Sequence, residues 1–238
     1  MIIVPVTGDK LRNGKEKVFM LVLKSKKSKP DYKWETYYAT AGFIRIAGLD
    51  EVGMSSIAGP CVASAVILSP DMTIKGLDDS KRLSPEQREY LYDIILKNCV
   101  DYGVGIASVQ TIEQKNIYWA SRDAMISAIE QLASPPDFLL IDGGQPLKYN
   151  ITQTSIIKGD TKCASIAAAS IVAKVTRDRL MCRLHELYPN YGWCQNKGYP
   201  TDFHREAITK YGITEHHRKG FAGVIKKGKW KTHQGLGE

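Results

Sequence analysis

Phe43-Ile44-Arg45-Ile46-Ala47-Gly48-Leu49-Asp50 is the stretch on which the reading of this chain turns. Its apolar residues fit a buried strand, and the run stops at two adjacent acids, Asp50 and Glu51. The same pattern recurs twice: Phe138-Leu139-Leu140-Ile141 runs into Asp142, and Ser155-Ile156-Ile157-Lys158-Gly159 into Asp160. Ligands of open α/β sheets gather at the carboxyl ends of strands, so these four acids can converge there.

Working outward, Cys61 to Leu68 and Tyr102 to Val109 read as further strands. Ser84-Pro85-Glu86-Gln87 carries a capping box with proline in the first turn and opens a helix whose apolar face holds Leu91, Ile94 and Ile95. Thr111 with Gln114 opens a second helix that runs to about Leu132 before Pro135-Pro136. Ala164 to Leu187 reads as a long helix of small and aliphatic residues, and Thr201 to Tyr211 as a shorter one ended by Gly212. Strands alternating with helices predict an α/β fold with the sheet covered by helices. No internal repeat is present.

The 238 residues suit one catalytic domain with a small appendage. The chain divides into an extension over 1–42, a main domain over 43–221 and a basic tail over 222–238 that carries Lys226, Lys227, Lys229 and Lys231. Residues 1–45 hold ten Lys and Arg against four acids, which is six of the eight net positive charges. Within them Val18 to Leu23 and Trp34 to Phe43 read as strands around a Lys-rich loop, so a small β-rich hairpin is expected; a loose basic arm is the other reading. Excess positive charge favours polyanionic partners, though charge alone does not establish them. The five cysteines, Cys61, Cys99, Cys163, Cys182 and Cys194, are odd in number and form no C-x-x-C. Neither a disulfide framework nor a zinc site is predicted, and reduced thiols in a cytoplasmic monomer are expected. No apolar run has the length of a membrane span, and the first residues do not resemble a signal peptide.

Taken singly, each of the four acids has a plain alternative as a turn or helix cap. As a cluster they repel one another, and near neutral pH they call for cations. Oxygen ligands select Mg²⁺ or Mn²⁺, and two such ions about 4 Å apart stabilise both oxygens of an in-line phosphoryl displacement.

Several stretches then carry a resemblance. They are Gly48-Leu-Asp-Glu-Val-Gly53, Ala58-Gly-Pro-Cys-Val62, Asp79-Ser-Lys-Arg-Leu-Ser84, Ile141-Asp-Gly143, Lys158-Gly-Asp160, Ala164 to Asp178, Lys197-Gly-Tyr-Pro-Thr201 with His204, and His217-Arg218 with Phe221. In this order they resemble the ribonuclease HII family over about residues 43–221. The resemblance implies a ribonuclease H-like fold, a mixed central sheet flanked by helices, and cleavage of the RNA strand of RNA/DNA hybrids; no obligate protein partner is evident. It implies that Asp50, Glu51, Asp142 and Asp160 are the catalytic, metal-binding carboxylates. A water activated by Mg²⁺ or Mn²⁺ would attack phosphorus and leave 5′-phosphate and 3′-hydroxyl ends. It further implies that Tyr199 stacks on a deoxyribose at the RNA–DNA junction. Lys81, Lys158, Lys174 and Arg177 fit phosphate contacts, and Ser80, Ser165 and Asn116 fit donors to phosphate; each also has a plain reading as surface charge or local cap.

One departure stands out. The family reads Gly-Arg-Gly where this chain has Gly53-Met54-Ser55. That backbone approaches the ribonucleotide 2′-hydroxyl, so Ser55 is expected to hinder recognition of a single embedded ribonucleotide and Met54 to remove a charge. Two alternatives follow: a hybrid-binding protein of the same fold with impaired junction cleavage, and a resolvase- or transposase-like nuclease. The four acids disfavour the first, and the Lys197-Gly-Tyr199 and Ala173-Lys-Val-Thr-Arg-Asp178 stretches the second. His217 is expected to be structural.

Overall fold

A computed structural model describes residues 29–69, 73–221 and 224 of the chain. At its centre lies β1 (Ile46–Val52), the strand of the opening stretch. The antiparallel strand β2 (Cys61–Ile67) pairs with it, Asp50 opposite Ser64, and β3 (Asp101–Ala107) pairs antiparallel with β2. On the other side β4 (Phe138–Asp142) runs parallel to β1 with Leu49 opposite Ile141, and β5 (Thr152–Ile156) runs parallel to β4 with Asp142 opposite Ile156. The order β3-β2-β1-β4-β5 makes the mixed sheet that was expected.

Both faces of the sheet are covered, which is why β2 and most of β1 and β4 are apolar without alternation. Helix α1 spans Lys33–Thr40, α2 Pro85–Asn98, α3 Val109–Glu130 and α4 Ala164–Leu187. Ala124, Met125 and Ala128 of α3 pack on Ala47, Leu49, Ala63 and Ile141. Ala168, Ile171, Val172 and Val175 of α4 join Val66, Leu91 and Ile95 on the opposite face. Gly48 permits this: a Cβ there would stand 2.2 Å from the Ser165 carbonyl carbon. Two short helices, α5 (Trp193–Asn196) and α6 (Asp202–Tyr211), close one end. Among the described residues no helix is long and apolar enough to cross a membrane.

The capping box at Ser84 is present, with Gln87 N–H donating to Ser84 Oγ and Ser84 N–H to Gln87 Oε1. Helix α3 starts two residues before Thr111, because Ser108 rather than Thr111 accepts the capping bond. The strand expected from Ser155 to Lys158 lies earlier, at Thr152–Ile156, since Lys158 turns left-handed at φ 56°. The expectation of five reduced thiols is corrected: packing of α5 on α4 brings Cys182 and Cys194 together, and they form a disulfide.

The largest difference lies in the extension. Val18 to Leu23 falls outside the described residues, and the segment read as a second strand is helix α1. Its aromatic content suggested a strand, but tertiary contacts decide the outcome. Tyr38 stacks on Phe138 at 3.8 Å between ring centroids, and its hydroxyl meets Thr154 Oγ1 at 2.7 Å. Glu35 is buried and sits at the start of α4, whose own N-cap, Cys163, supplies no side-chain bond. The Ser165 N–H donates to Glu35 Oε1 at 2.7 Å and the Cys163 thiol donates at 3.2 Å. Helix α1 is therefore a cap for the main domain, and a truncation meant to remove only the basic arm has to end before Pro30. Replacing Glu35 with Ala leaves a buried N–H without its acceptor and is expected to cost about 2 kcal/mol, a fall of roughly 4–8 °C in Tm. Glu35→Gln keeps an acceptor oxygen and should cost less; equal thermal stability of Glu35→Ala and the parent would remove the capping role.

Candidate active site

The register of β1 and β4 settles where the acids stand. Leu49 pairs with Ile141, so the next residues, Asp50 and Asp142, stand at the same level of neighbouring parallel strands; Asp142 ends β4, whereas β1 runs on through Asp50 and Glu51 to Val52. Asp142 Oδ1 accepts the Gly159 N–H at 2.7 Å, which draws the turn carrying Asp160 against β4. Asp50 Oδ1 accepts the Glu51 N–H at 2.7 Å. Asp50 and Asp160 are buried, and Lys81 reaches Asp160 Oδ2 at 3.7 Å from an otherwise exposed position.

Burial and mutual repulsion raise the proton affinity of this group. Burial, then Glu51 and Asp142, holds the Asp50 carboxyl well above the usual range. Burial and Asp142 push Glu51 up to about 7, against the pull of the Arg122 guanidinium. Asp160 is raised by burial and then by Asp142. Among the described residues no three His, Cys, Asp or Glu side chains converge closely enough to hold one ion as they stand. The donor set is all carboxylate oxygen, the chemistry that suits Mg²⁺ or Mn²⁺.

Beside the acids stands a wall of three loops. Residues 53–60 follow β1, and Gly53 turns there at φ +96°. A Cβ on Gly53 would meet Arg177 Nε at 2.4 Å, so glycine is required on two counts. The Ile57 N–H donates to Gly198 O at 2.9 Å, and Gly59 N–H to His216 O at 2.8 Å. These bonds set Tyr199 and His217-Arg218 against the turn. The Arg218 guanidinium is fully buried and donates to Gly53 O at 2.6 Å, Ser56 O at 2.8 Å and Gly59 O at 2.9 Å. Desolvation lowers its pKa to about 10.

The histidines brace the same wall. Trp193 Nε1–H donates to His204 Nε2 at 3.0 Å, so His204 carries its proton on Nδ1 and donates to Tyr199 O at 2.9 Å. Thr214 N–H donates to His217 Nδ1 at 3.0 Å, leaving His217 Nε2–H to point at His204 Nε2, 3.2 Å away. Only two neutral rings satisfy this chain, and burial holds both pKa values down, His217 to about 3. The structural reading of His217 agrees with this placement.

The expected substrate contacts separate into two groups. Lys81, Lys158, Ser55 and Asn116 are exposed, and Tyr199 is half-buried with Arg177 5.8 Å from its ring centre. Asn116 breaks α3 with φ 64° and ψ 165°, and its Oδ1 accepts the N–H groups of Tyr118 and Trp119. Four others are turned inward and meet partners within the protein. Ser165 is buried against Glu35 and Cys163. Ser80 is buried with its Oγ 2.8 Å from Ser170 Oγ. Lys174 is half-buried and paired with Asp178 at 2.6 Å. Arg177, fully buried, donates to Ala58 O, Pro60 O and Lys197 O, and so ties two loops together. A cation pattern in sequence does not distinguish a donor to phosphate from a donor to buried carbonyls. Met54 packs on the core, and Ser55 adopts an ordinary negative φ. The Ser55 side chain therefore does not strain the turn. Arg122, beside Glu51, and Arg218, beneath the 53–59 turn, are neighbours of the site whose placement spacing alone did not reveal.

The family model for ribonuclease HII matches residues 47–232. The chain is 51% identical to a ribonuclease HII of Bacillus cereus over 192 residues, 81% of this chain and 74% of that protein. It is 50% identical to ribonuclease HII of Bacillus subtilis over 191 residues, 80% and 74% of the two chains. The crystal structure of ribonuclease H2 from Pyrococcus horikoshii OT3 superposes with a TM-score of 0.65 at 28% identity, covering 76% of this chain and 95% of that one. With strand-end acids, loop wall and sequence in agreement, the chain belongs to the ribonuclease HII family.

Proposed function

We propose that the chain is a divalent-metal-dependent endoribonuclease that hydrolyses the RNA strand of RNA/DNA hybrids and leaves 5′-phosphate and 3′-hydroxyl ends. The observation that carries this is the placement of Asp50 and Asp142 at one level of adjacent strands, with Glu51 and Asp160 alongside. Bound among these carboxylates, Mg²⁺ or Mn²⁺ supplies Lewis-acid stabilisation of the attacking and leaving oxygens. The chain itself holds the scissile phosphate in place. Lys81 stands over Asp160 with its ammonium in solvent, free to meet a phosphate oxygen. Tyr199, whose carbonyl is held by His204, has its ring next to Arg177, the same side chain that packs against Gly53, and there a sugar carrying a 2′-hydroxyl is told from one without. Cleavage of a hybrid, a duplex with one ribonucleotide and plain DNA, each with Mg²⁺, Mn²⁺ or chelator, tests the reading. Cutting of plain DNA, or hybrid cleavage that persists in chelator, overturns it.

The Gly53-Met54-Ser55 turn sets the balance between substrates. Its backbone is held by Arg218 and is unstrained at Ser55, so a binder without cleavage gains no support from the tripeptide. What the turn lacks is the positive side chain, since Met54 folds onto the core. A long hybrid offers many registers and a lone ribonucleotide only one, so hybrid cleavage should be the faster. Met54→Arg with Ser55→Gly is expected to raise lone-ribonucleotide cleavage about tenfold, the worth of one charge-assisted contact, with Met54→Arg giving most of it. Equal rates of the parent on both substrates would sink this prediction.

A further inference from the structure

The break at Asn116 exposes two rings side by side. The second limb of α3 begins there, and Tyr118 and Trp119 occupy its first turn, each 43% exposed. Their centroids lie 5.0 Å apart in an edge-on arrangement. Each ring is covered on one side by a cation. Arg122 lies over Tyr118 with its guanidinium carbon 5.5 Å from the ring centre, and Lys148 Nζ lies 5.0 Å from that of Trp119. Among the described residues Lys148 meets no carboxylate. The neighbouring Lys115 is paired with Asp123, so the net charge of the patch comes from Arg122 and Lys148.

This patch adjoins the candidate active site. Arg122 donates to Gln145 O and Pro146 O, in the loop that leaves β4 directly after Asp142, and Lys148 belongs to the same loop. A strip thus runs from the carboxylates through Arg122 to two exposed rings and a lysine. Rings that stay in solvent beside cations suit a polyanion that carries sugars and bases between its phosphates. An acidic peptide would match the charge but would leave the two rings without a purpose.

We propose that Tyr118, Trp119, Arg122 and Lys148 form a second nucleic-acid contact, which grips a strand of the duplex where it runs past the carboxylate cluster. The rings meet sugars or unpaired bases, and the cations meet phosphates. The inference deepens the hybrid-nuclease reading and rests on it for the choice of duplex, while its own readout is binding. The probe is a labelled hybrid long enough to extend past the patch on both sides, with a series shortened from each end, read by fluorescence anisotropy in chelator. The double variant Tyr118→Ser/Trp119→Ser should bind the long hybrid about tenfold more weakly, as expected for loss of one to two stacked contacts, and the shortest hybrids as the parent does. Lys148→Gln should lower the slope of log affinity against log salt by about one. Trp119→Phe keeps a ring and should retain most of the affinity. If the double variant proves less stable, Lys148→Gln decides alone, since that side chain is exposed. Unchanged affinity for every length, or a loss equal on long and short hybrids, overturns the contact. Cleavage by the parent is scored separately: a parent that binds through the patch but cuts no hybrid overturns the nuclease reading and leaves the contact standing.

Discussion

Asp142→Asn is expected to reduce hybrid cleavage by at least about a thousandfold, as removal of a preorganised electrostatic group does, while making the metal-free protein more stable. The substitution keeps the shape and the oxygen that accepts the Gly159 N–H at 2.7 Å, so the turn to Asp160 survives. What disappears is one negative charge that raises the proton affinity of Asp50, Glu51 and Asp160. Relief of that repulsion should raise Tm in chelator by roughly 2–4 °C for each kcal/mol recovered. Added Mg²⁺ should stabilise the parent more than the variant, because ligand binding to the folded state adds stability in proportion to affinity. The pH dependence has a definite sign. Glu51 takes up its proton at about 7 in the folded chain and at its ordinary 4.5 when unfolded. Between those values the folded state holds a proton that the unfolded state lacks, so metal-free stability rises as pH falls through that window. The rise should be smaller in Asp142→Asn. Full activity in the variant would sink the carboxylate assignment, and a lower Tm in chelator would show that the acids do not repel.

The parts legible in the sequence share one property: they depend on local pattern. The acids at Asp50 and Asp142 were visible because each follows an apolar run, although β1 continues past Asp50 to Val52 by pairing with β2, which the acids in its sequence conceal. Helix α4 was visible end to end, since Ala164 to Leu187 contains neither Gly nor Pro. The parts that were not legible depend on what lies across the fold. Trp34, Tyr37 and Tyr38 carry β-propensity, yet Glu35 has to reach Ser165, 130 residues away, and a helix presents it. Ser80, Ser165 and Arg177 look in sequence like donors to phosphate; burial, which spacing does not encode, sets their side chains against Ser170, Cys163 and three loop carbonyls. The Cys182–Cys194 bond follows from the packing of α4 and α5 and leaves no C-x-x-C mark. Met54 shows the same limit: its absence of charge is read directly, whereas the ease of the turn at Ser55 appears only in the backbone.

Arg218→Met is the second change with a large expected effect, and it tests whether the loop wall is part of recognition. The native guanidinium is fully buried with no carboxylate paired to it among the described residues, and its Nε and Nη1 donate to the carbonyl oxygens of residues 53, 56 and 59. Methionine fills much of the volume but leaves those oxygens without donors in a buried place, at about 1 kcal/mol or more each. A loss of about 3 kcal/mol and a fall in Tm of roughly 6–12 °C are expected. Arg218→Lys retains charge, but a single ammonium cannot span three carbonyls as a planar fork does, so it should recover only part of the loss. A purely structural role would lower cleavage of all substrates alike, once folded protein is counted. The wall, however, holds the 53–55 turn against Tyr199, and a lone ribonucleotide has only that register available. The ratio of lone-ribonucleotide to hybrid cleavage should therefore fall about tenfold in Arg218→Met, the worth of one misplaced contact, and less in Arg218→Lys. If both variants keep the parent ratio at a temperature where they are folded, Arg218 supports the fold alone and the turn does not read the junction.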